Sequence, residues 1–176
     1  MYPSVVQFDK LLEKEIVTNR IQSDRRIFVS GIAFKQGESH WDAPTGTRYI
    51  WSEHETPEFM HKHGKYTGFS PTERKNYPVQ GFGGEIMQTM LGKVFRHFVA
   101  NDGFGGDVLL VNTVHDCCLL DGKKGILEEV TKQVQEILET VPEVFNTAYP
   151  DTLNITVPFP AEAEVGRDLF DMEILH

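Results

Sequence analysis

The strongest constraint on the fold is residues 111–121, a mostly apolar segment that reads Val-Asn-Thr-Val-His-Asp-Cys-Cys-Leu-Leu-Asp. Two polar residues, His115 and Asp116, interrupt it at its middle. Two strand-forming runs joined by two residues are typical of a β-hairpin. We therefore expect strands at residues 107–114 and 117–120 with Asp116 at the tip. A carboxylate on a rigid hairpin offers the hard oxygen ligand that Mg²⁺ prefers and could hold that ion against a phosphate.

Length and composition limit the class of protein. With 176 residues, of which 40% are hydrophobic, the chain can bury one substantial core, and we expect a single unit over residues 1–176. No apolar run approaches the ~20 residues that cross a bilayer, and the first residues lack the features of a signal peptide. The adjacent Cys117 and Cys118 should point to opposite faces of a strand, so they should not form a disulfide. These features predict a cytoplasmic protein in a reducing compartment, without membrane association.

The charge of the chain is unevenly distributed. The net charge is −9, which argues against loose, nonspecific binding to nucleic acid. Residues 1–100 contain 13 Lys/Arg and 11 Asp/Glu, whereas residues 101–176 contain 4 Lys/Arg and 15 Asp/Glu. We therefore expect any nucleic-acid surface in the first hundred residues and at the hairpin tip.

Apolar periodicity predicts the elements of the first part of the chain. Residues 3–20 have helical spacing, and β-branched and aromatic residues predict paired strands at residues 26–34 and 47–52. Residues 53–69 contain His54, His61 and His63 but no third metal ligand at a typical spacing, so they are interpreted as a solvated loop.

The second part begins with a clear helix signal. Ser70-Pro-Thr-Glu73 is a capping box, and the helix should bend at Pro78 and continue to about residue 99. After the hairpin, residues 126–141 have the spacing of an amphipathic helix. Short strands are predicted at residues 153–157 and 161–165.

A second segment, residues 76–86, lies upstream of the hairpin and reads Asn-Tyr-Pro-Val-Gln-Gly-Phe-Gly-Gly-Glu-Ile. Asn76 and Gln80 lie one helical turn apart at the start of an apolar stripe. In this order and spacing, the two segments resemble the C-terminal palm of family A DNA polymerases, the DNA polymerase I type, and in particular their phage branch. The resemblance covers residues 1–176 as the last third of a polymerase domain.

The resemblance implies an α+β fold, in which an antiparallel palm sheet with a His-Asp hairpin packs against amphipathic helices. The hairpin corresponds to motif C, so Asp116 would be a catalytic Mg²⁺ ligand and His115 would lie at the primer terminus. Asn76 and Gln80 match the asparagine and glutamine that contact the minor groove of the template-primer. Amide groups suit that role because every base pair presents N3 or O2 acceptors there.

The chain departs from the family pattern at several positions. Cys117 stands where many members have a glutamate, so no accessory carboxylate is assigned there. Thr72 stands in place of an arginine, with Arg74 and Lys75 as substitutes. The Gly-Arg-Arg turn of the family is reduced to Gly46-Thr47-Arg48, which leaves Arg48 as the candidate phosphate contact.

Motif A, with the other catalytic aspartate, and the fingers helix that grips the nucleotide have no counterpart in these 176 residues. We therefore expect a palm subunit or fragment of a DNA-directed DNA polymerase that shares a two-Mg²⁺ site with a partner chain and acts on a primer-template and dNTP. If it is phage-encoded, the compartment would be the host cytoplasm. One alternative is a noncatalytic nucleic-acid-binding protein or degenerate polymerase remnant. Another, less favoured, is a metal hydrolase that uses His61, His63, His115 and Asp116.

We predict that the purified chain has no polymerase activity and gains it with a separate chain that carries motif A and the fingers. Two metal ions require at least two carboxylates, and a triphosphate requires cationic side chains from the fingers. The partner should cover apolar surface around Val5, Phe8 and Leu12, or around Tyr77 and Phe82. Light scattering should detect a 1:1 complex, and primer extension with Mg²⁺ should require both chains. Robust extension by the chain alone, free of contaminating polymerase, would contradict this prediction.

Overall fold

Helices and short antiparallel strands make up the protein, which confirms an α+β fold class. The computed structural model describes residues 3–175. Its contacts divide into two compact units, Met1–Phe82 and Gly83–His176, where the sequence suggested one. Within the described residues, no helix is long and apolar enough to span a membrane.

The first unit contains a helix, a three-stranded sheet and a two-stranded sheet. Antiparallel pairing gives the strand order β1-β2-β3 in one sheet and β4-β5 in the other. The elements are α1 (Pro3–Thr18), β1 (Ile21–Val29), β2 (Ile32–Asp42), β3 (Arg48–Ser52), β4 (His54–Glu55), α2 (Glu58–His61), β5 (Thr67–Gly68) and the start of α3 (Pro71–Ala100). The helix predicted at residues 3–20 is confirmed.

The single strand predicted at residues 26–34 is wrong, because the chain turns at Ser30 and Gly31. Both residues have positive φ, 51° and 79°, and Val29 pairs directly with Ile32. A two-residue turn with positive φ at both positions matches the natural twist of a hairpin. Apolar residues on both sides of the turn gave the segment the appearance of one strand. The predicted pairing of residues 26–34 with residues 47–52 is also wrong, because β3 pairs with residues 38–42 at the far end of β2.

The core of the first unit forms where α1 packs on the sheet. Leu12, Ile16 and Trp51 are buried together, and Trp41 packs against them. The buried hydroxyl of Ser39 donates a hydrogen bond of 2.6 Å to the Ile16 carbonyl oxygen. Because Leu12 is only 2% exposed, it belongs to this core and is not available to a partner.

An ion pair between the buried Glu53 and the exposed Arg20 joins several elements of the first unit. Glu53 is 6% exposed and accepts hydrogen bonds from Arg20 Nε at 2.7 Å and Nη2 at 2.8 Å. The Gly37 amide and the Thr67 hydroxyl donate to the same carboxylate. The hydrogen bonds from Arg20 hold the pKa of Glu53 below its usual range, although burial acts in the opposite direction. Through these hydrogen bonds Glu53 connects β2 and β5 with Arg20, which lies between α1 and β1.

The ion pair requires glycine at position 37. A Cβ atom there would lie 2.6 Å from both Arg20 Nε and the Glu53 carboxyl carbon. The backbone of Gly37 also accepts a hydrogen bond of 2.7 Å from the Glu53 amide. Any side chain at this position would displace the ion pair.

The helix α3 begins at Pro71, as the capping box predicts. The Glu73 amide donates to Ser70 Oγ at 3.4 Å. The helix continues through Pro78 to Ala100, although proline has no amide hydrogen to donate. The boundary between the two units falls within this helix, after Phe82.

The second unit contains the rest of α3, two hairpins and two further helices. A 3-10 segment, Asp102–Gly106, follows α3. The remaining elements are β6 (Val108–Val114), β7 (Cys117–Gly122), α4 (Ile126–Glu139), α5 (Val141–Ala148), β8 (Glu164–Gly166) and β9 (Met172–Ile174), which pair as β6-β7 and β8-β9. The predicted hairpin at residues 107–120 is confirmed.

Two predictions for the C-terminal part are wrong. The helix predicted over residues 126–141 ends at Glu139, and a new helix with Pro142 in its first turn starts at Val141. Residues 153–157 form no strand. The side-chain amide of Asn146 binds both the N–H and the carbonyl oxygen of Ile155, at 2.7 and 2.9 Å, and so replaces a neighbouring strand.

We predict that Glu53→Ala destabilises the first unit by about 2 kcal/mol, because it removes the bonds that the carboxylate accepts from Arg20 and Thr67 and leaves the buried Gly37 amide without its partner. Urea unfolding followed by tryptophan fluorescence measures this unit, since Trp41 and Trp51 both lie in it. Glu55→Ala, on the exposed strand β4, is the matched control and should have little effect.

The same carboxylate predicts a pH dependence. Because folding lowers the pKa of Glu53 from its reference value of 4.5, its contribution is fully present above that value. The contribution is lost as the pH falls through the lower, folded pKa. The stability difference between wild type and Glu53→Ala should therefore shrink below about pH 4.5. A difference that stays constant down to acid unfolding would contradict this role.

Candidate nucleic-acid and metal-binding site

The hairpin of β6 and β7 presents His115 and Asp116 at its tip. Val114 pairs with Cys117, so the two residues between them form the whole turn. Both side chains are exposed. His115 has φ of 54°, in the left-handed region that costs a non-glycine residue about 1 kcal/mol or more. A positive φ also occurs at Ser30 and is ordinary in a two-residue hairpin turn, so the turn is a candidate site because of its exposed imidazole and carboxylate.

The opposite end of the hairpin is anchored in the core of the second unit. Val108 is completely buried, and it packs with Val94 and Phe98 of α3 and with Val130 and Val134 of α4. This arrangement confirms that the hairpin packs against amphipathic helices. Residues 111–117 are exposed, so the hairpin extends from a fixed base into solvent.

A β-bulge separates the buried and exposed parts of the hairpin. Leu110 pairs with Leu120, but Asn112 pairs with Leu119, which leaves Val111 as an extra residue. A bulge bends and twists a strand and changes the direction of the side chains that follow. The bulge therefore helps to set the orientation of the tip.

The two cysteines beside the tip are free thiols, which confirms that they form no disulfide. The Cys117 thiol is exposed and donates a long hydrogen bond of 3.8 Å to Asp116 Oδ1. Burial, and to a lesser extent Cys117, raises the pKa of the Cys118 thiol. Cys118 therefore remains protonated at neutral pH and is a poor metal ligand there.

Asp116 makes no ion pair with any described residue and remains open to a ligand. Within residues 3–175, no three His, Cys, Asp or Glu side chains are close enough together to hold a metal ion. The His61 ring is engaged elsewhere, since its Nε2 atom hydrogen-bonds the Thr56 carbonyl oxygen at 2.8 Å. The group of His61, His63, His115 and Asp116 is thus not assembled in the structure.

Asn76 and Gln80 lie on one exposed side of α3, in the first unit. Neither side chain makes a hydrogen bond of its own to the described residues. The neighbouring side of the helix packs on the sheet, where Tyr77 stacks on Trp51 with ring centroids 6.1 Å apart. A Cβ atom at Gly81 would lie 2.3 Å from the Tyr49 ring, so glycine allows this close approach. Packing thus fixes the helix while the two amides remain available.

The three cations predicted to contact nucleic acid each pair with a carboxylate. Arg48 binds Asp42 through two hydrogen bonds of 2.6 and 2.8 Å. In the same unit, Arg74 lies 2.9 Å from Glu13, and Lys75 lies 3.1 Å from Asp9. The hydrogen bonds from Arg48 lower the pKa of Asp42, so this pair stays charged at neutral pH. A phosphate would have to compete with these carboxylates, and the predicted contacts stay predictions.

The sequence did not identify the roles of the partner carboxylates. Glu13 and Arg74 are 61 residues apart, and Arg20 and Glu53 are 33 residues apart. Spacing along the chain gives no signal for such pairs.

Comparisons of the chain with protein-family models, curated proteins and solved structures found no match.

We predict that Asn76→Ala and Gln80→Ala weaken primer-template binding by about 1 kcal/mol each, irrespective of base sequence, and impair mispair discrimination. Each removes an amide that could donate to acceptors common to all base pairs. Gln88→Ala, an exposed amide on the same helix, is the matched control. Fluorescence anisotropy at fixed salt with several duplex sequences, and mispair extension by the reconstituted enzyme, measure the effects. Unchanged values in both variants would contradict the assignment.

Proposed function

We propose that the chain is the C-terminal palm part of a family A DNA polymerase, with the hairpin tip as its contribution to the metal site. Asp116 supplies one Mg²⁺ ligand, and His115 lies beside the primer terminus. Asn76 and Gln80 contact the minor groove of the primer-template. Motif A and the fingers come from residues beyond these 176, which also bind the dNTP.

The observation that carries the proposal is the exposed His115-Asp116 turn on an anchored hairpin. A metal ligand must be exposed enough to meet its ion and rigid enough to fix its position. The tip is exposed, while Val108 at the base is buried between helices.

The residues present fit a Mg²⁺ site in part. The Asp116 carboxylate is a hard oxygen ligand, and its one described hydrogen bond, from Cys117, is long enough to be displaced. When bound, Mg²⁺ neutralises charge that develops on the reacting phosphate oxygens. Asp116 holds one side of that site, and a second carboxylate from motif A must complete it.

The other residues position the substrate. The side-chain amides of Asn76 and Gln80 can donate hydrogen bonds to N3 and O2 atoms, which only a correctly paired duplex presents in regular positions. His115 can donate a hydrogen bond from its ring to a phosphate or sugar oxygen of the primer. These contacts orient the primer terminus, which is the main contribution that protein side chains make to phosphoryl transfer.

A noncatalytic nucleic-acid-binding protein or degenerate polymerase remnant is the second candidate, favoured by one observation. Cys117 stands where an accessory carboxylate would be expected. A protein of this kind would bind a primer-template without supporting extension with any partner. Extension assays on the reconstituted complex therefore separate the two candidates.

We predict that Asp116→Ala reduces nucleotide incorporation by the reconstituted enzyme at least tenfold while the fold and primer-template affinity are kept. A tenfold loss corresponds to ~1.4 kcal/mol of transition-state stabilisation, a lower bound for removal of a metal ligand. Asp121→Asn is the matched control because it removes the same charge from the same hairpin, away from the tip. Single-turnover incorporation separates the chemical step from binding. Turnover above about a tenth of wild type for Asp116→Ala would refute the metal role.

A further inference from the structure

A groove in the second unit, between α3, α4 and α5, has no role in the proposed polymerase function. It has a volume of about 470 Å³, within the range typical of small-molecule sites. Thr89, Lys93, Arg96 and His97 line one side, and Ile137 and Val144 line the other. The groove surface is mostly apolar, and the cationic residues Lys93 and Arg96 stand on one side of it.

The cationic side of the groove follows from the spacing of residues on α3. Thr89, Lys93 and Arg96 lie on one face of the helix, at positions i, i+4 and i+7. Two like charges three residues apart on a helix repel each other and destabilise it by a few tenths of a kcal/mol. An anion between the two side chains would attract both of them and offset their mutual repulsion.

Neither cation is neutralised within the described part of the chain. Gly83–His176 contains 6 Lys/Arg and 16 Asp/Glu, so carboxylates are in excess. Lys123 pairs with Asp107 in this unit, yet Lys93 and Arg96 form no ion pair with the described residues. Both belong to the residues that line the groove.

His97 is held by its neighbours. Its Nε2 atom lies 2.8 Å from Gln133 Oε1, and Gln133 Nε2 in turn donates to Glu129 at 3.3 Å. The Asn101 amide nitrogen lies 3.5 Å from His97 Nδ1. The donors among the lining residues that are not engaged in this way are Lys93, Arg96 and the Thr89 hydroxyl.

We propose that this groove binds an organic phosphate. The phosphoryl group lies between Lys93 and Arg96, because a guanidinium and an ammonium together suit a phosphate's charge and its several acceptor oxygens. Thr89 donates a further hydrogen bond. The organic part contacts Ile137 and Val144, which are half-buried and leave an apolar surface in the groove. The inference is independent of the polymerase assignment, because it uses none of its residues.

Isothermal titration calorimetry on the full chain tests the proposal with four probes: inorganic phosphate, AMP, and one oligodeoxynucleotide with and without a 5′-phosphate. AMP or the 5′-phosphorylated strand should bind more tightly than inorganic phosphate, since only they reach the apolar surface. AMP binding identifies a free nucleotide as the ligand type. Binding of the phosphorylated strand alone identifies a strand end.

Single substitutions of the groove residues test whether the organic phosphate binds in the groove. Lys93→Gln and Arg96→Gln should each weaken binding about tenfold, the effect of losing one charge-assisted hydrogen bond. Ile137→Ala should weaken AMP binding but leave that of inorganic phosphate unchanged. Lys124→Gln, which removes the same charge from an exposed turn of the same unit, is the matched control and should have no effect. Circular dichroism verifies that each variant is folded.

Four results would overturn the proposal. One is that neither AMP nor the phosphorylated strand binds at millimolar concentration. The second is that inorganic phosphate binds as tightly as AMP. The third is that both strands bind equally, which would indicate a general nucleic-acid surface. The fourth is an equal loss in Lys124→Gln and Lys93→Gln, which would reflect net charge alone.

Discussion

The candidate site depends on the apolar packing at the base of the β6–β7 hairpin. Val108 is completely buried against α3 and α4, and an isolated two-stranded hairpin without such support is at best marginally stable in water. The bulge at Val111 ends the buried part, so the tip with His115 and Asp116 extends from a fixed base. The same core that stabilises the second unit thus determines where the carboxylate can meet a metal ion.

The candidate residues are distributed over both units of the chain. Asn76 and Gln80 belong to the first unit, and His115 and Asp116 belong to the second. Each unit has its own core, and in the first unit the Glu53 ion pair joins several elements. In both units the proposed functional side chains are exposed, and packing elsewhere on the same element holds the backbone, through Tyr77 on Trp51 in the first unit and Val108 in the second. This division between fixed backbone and free polar groups is what a substrate-positioning surface requires.

Local patterns in the sequence predicted the elements that local physics determines. Helical periodicity identified α1, the capping box located the start of α3, and the alternation around His115 and Asp116 located the hairpin. The turn at Ser30 and Gly31 was missed because apolar residues surround it. Residues 153–157 were misassigned because the side-chain amide of Asn146, 9 residues before Ile155, binds their backbone. The carboxylate partners of Arg74 and Lys75 depend on tertiary contacts, which spacing along the chain does not encode, whereas Arg48 pairs with Asp42 directly across the β2–β3 hairpin.

The central claim, that Asp116 holds a catalytic metal ion, can be tested directly by replacing Mg²⁺ with Fe²⁺ in the complex with partner and primer-template. With added hydrogen peroxide and ascorbate, bound Fe²⁺ reduces the peroxide to hydroxide and a hydroxyl radical that cuts the nearby backbone, ascorbate regenerates Fe²⁺ from Fe³⁺, and mass spectrometry locates the cuts. The account predicts cleavage between residues 115 and 117, suppressed by excess Mg²⁺ and absent in Asp116→Asn. Cleavage confined to other carboxylates, such as Glu128 and Glu129 of α4, with an intact hairpin tip would contradict it.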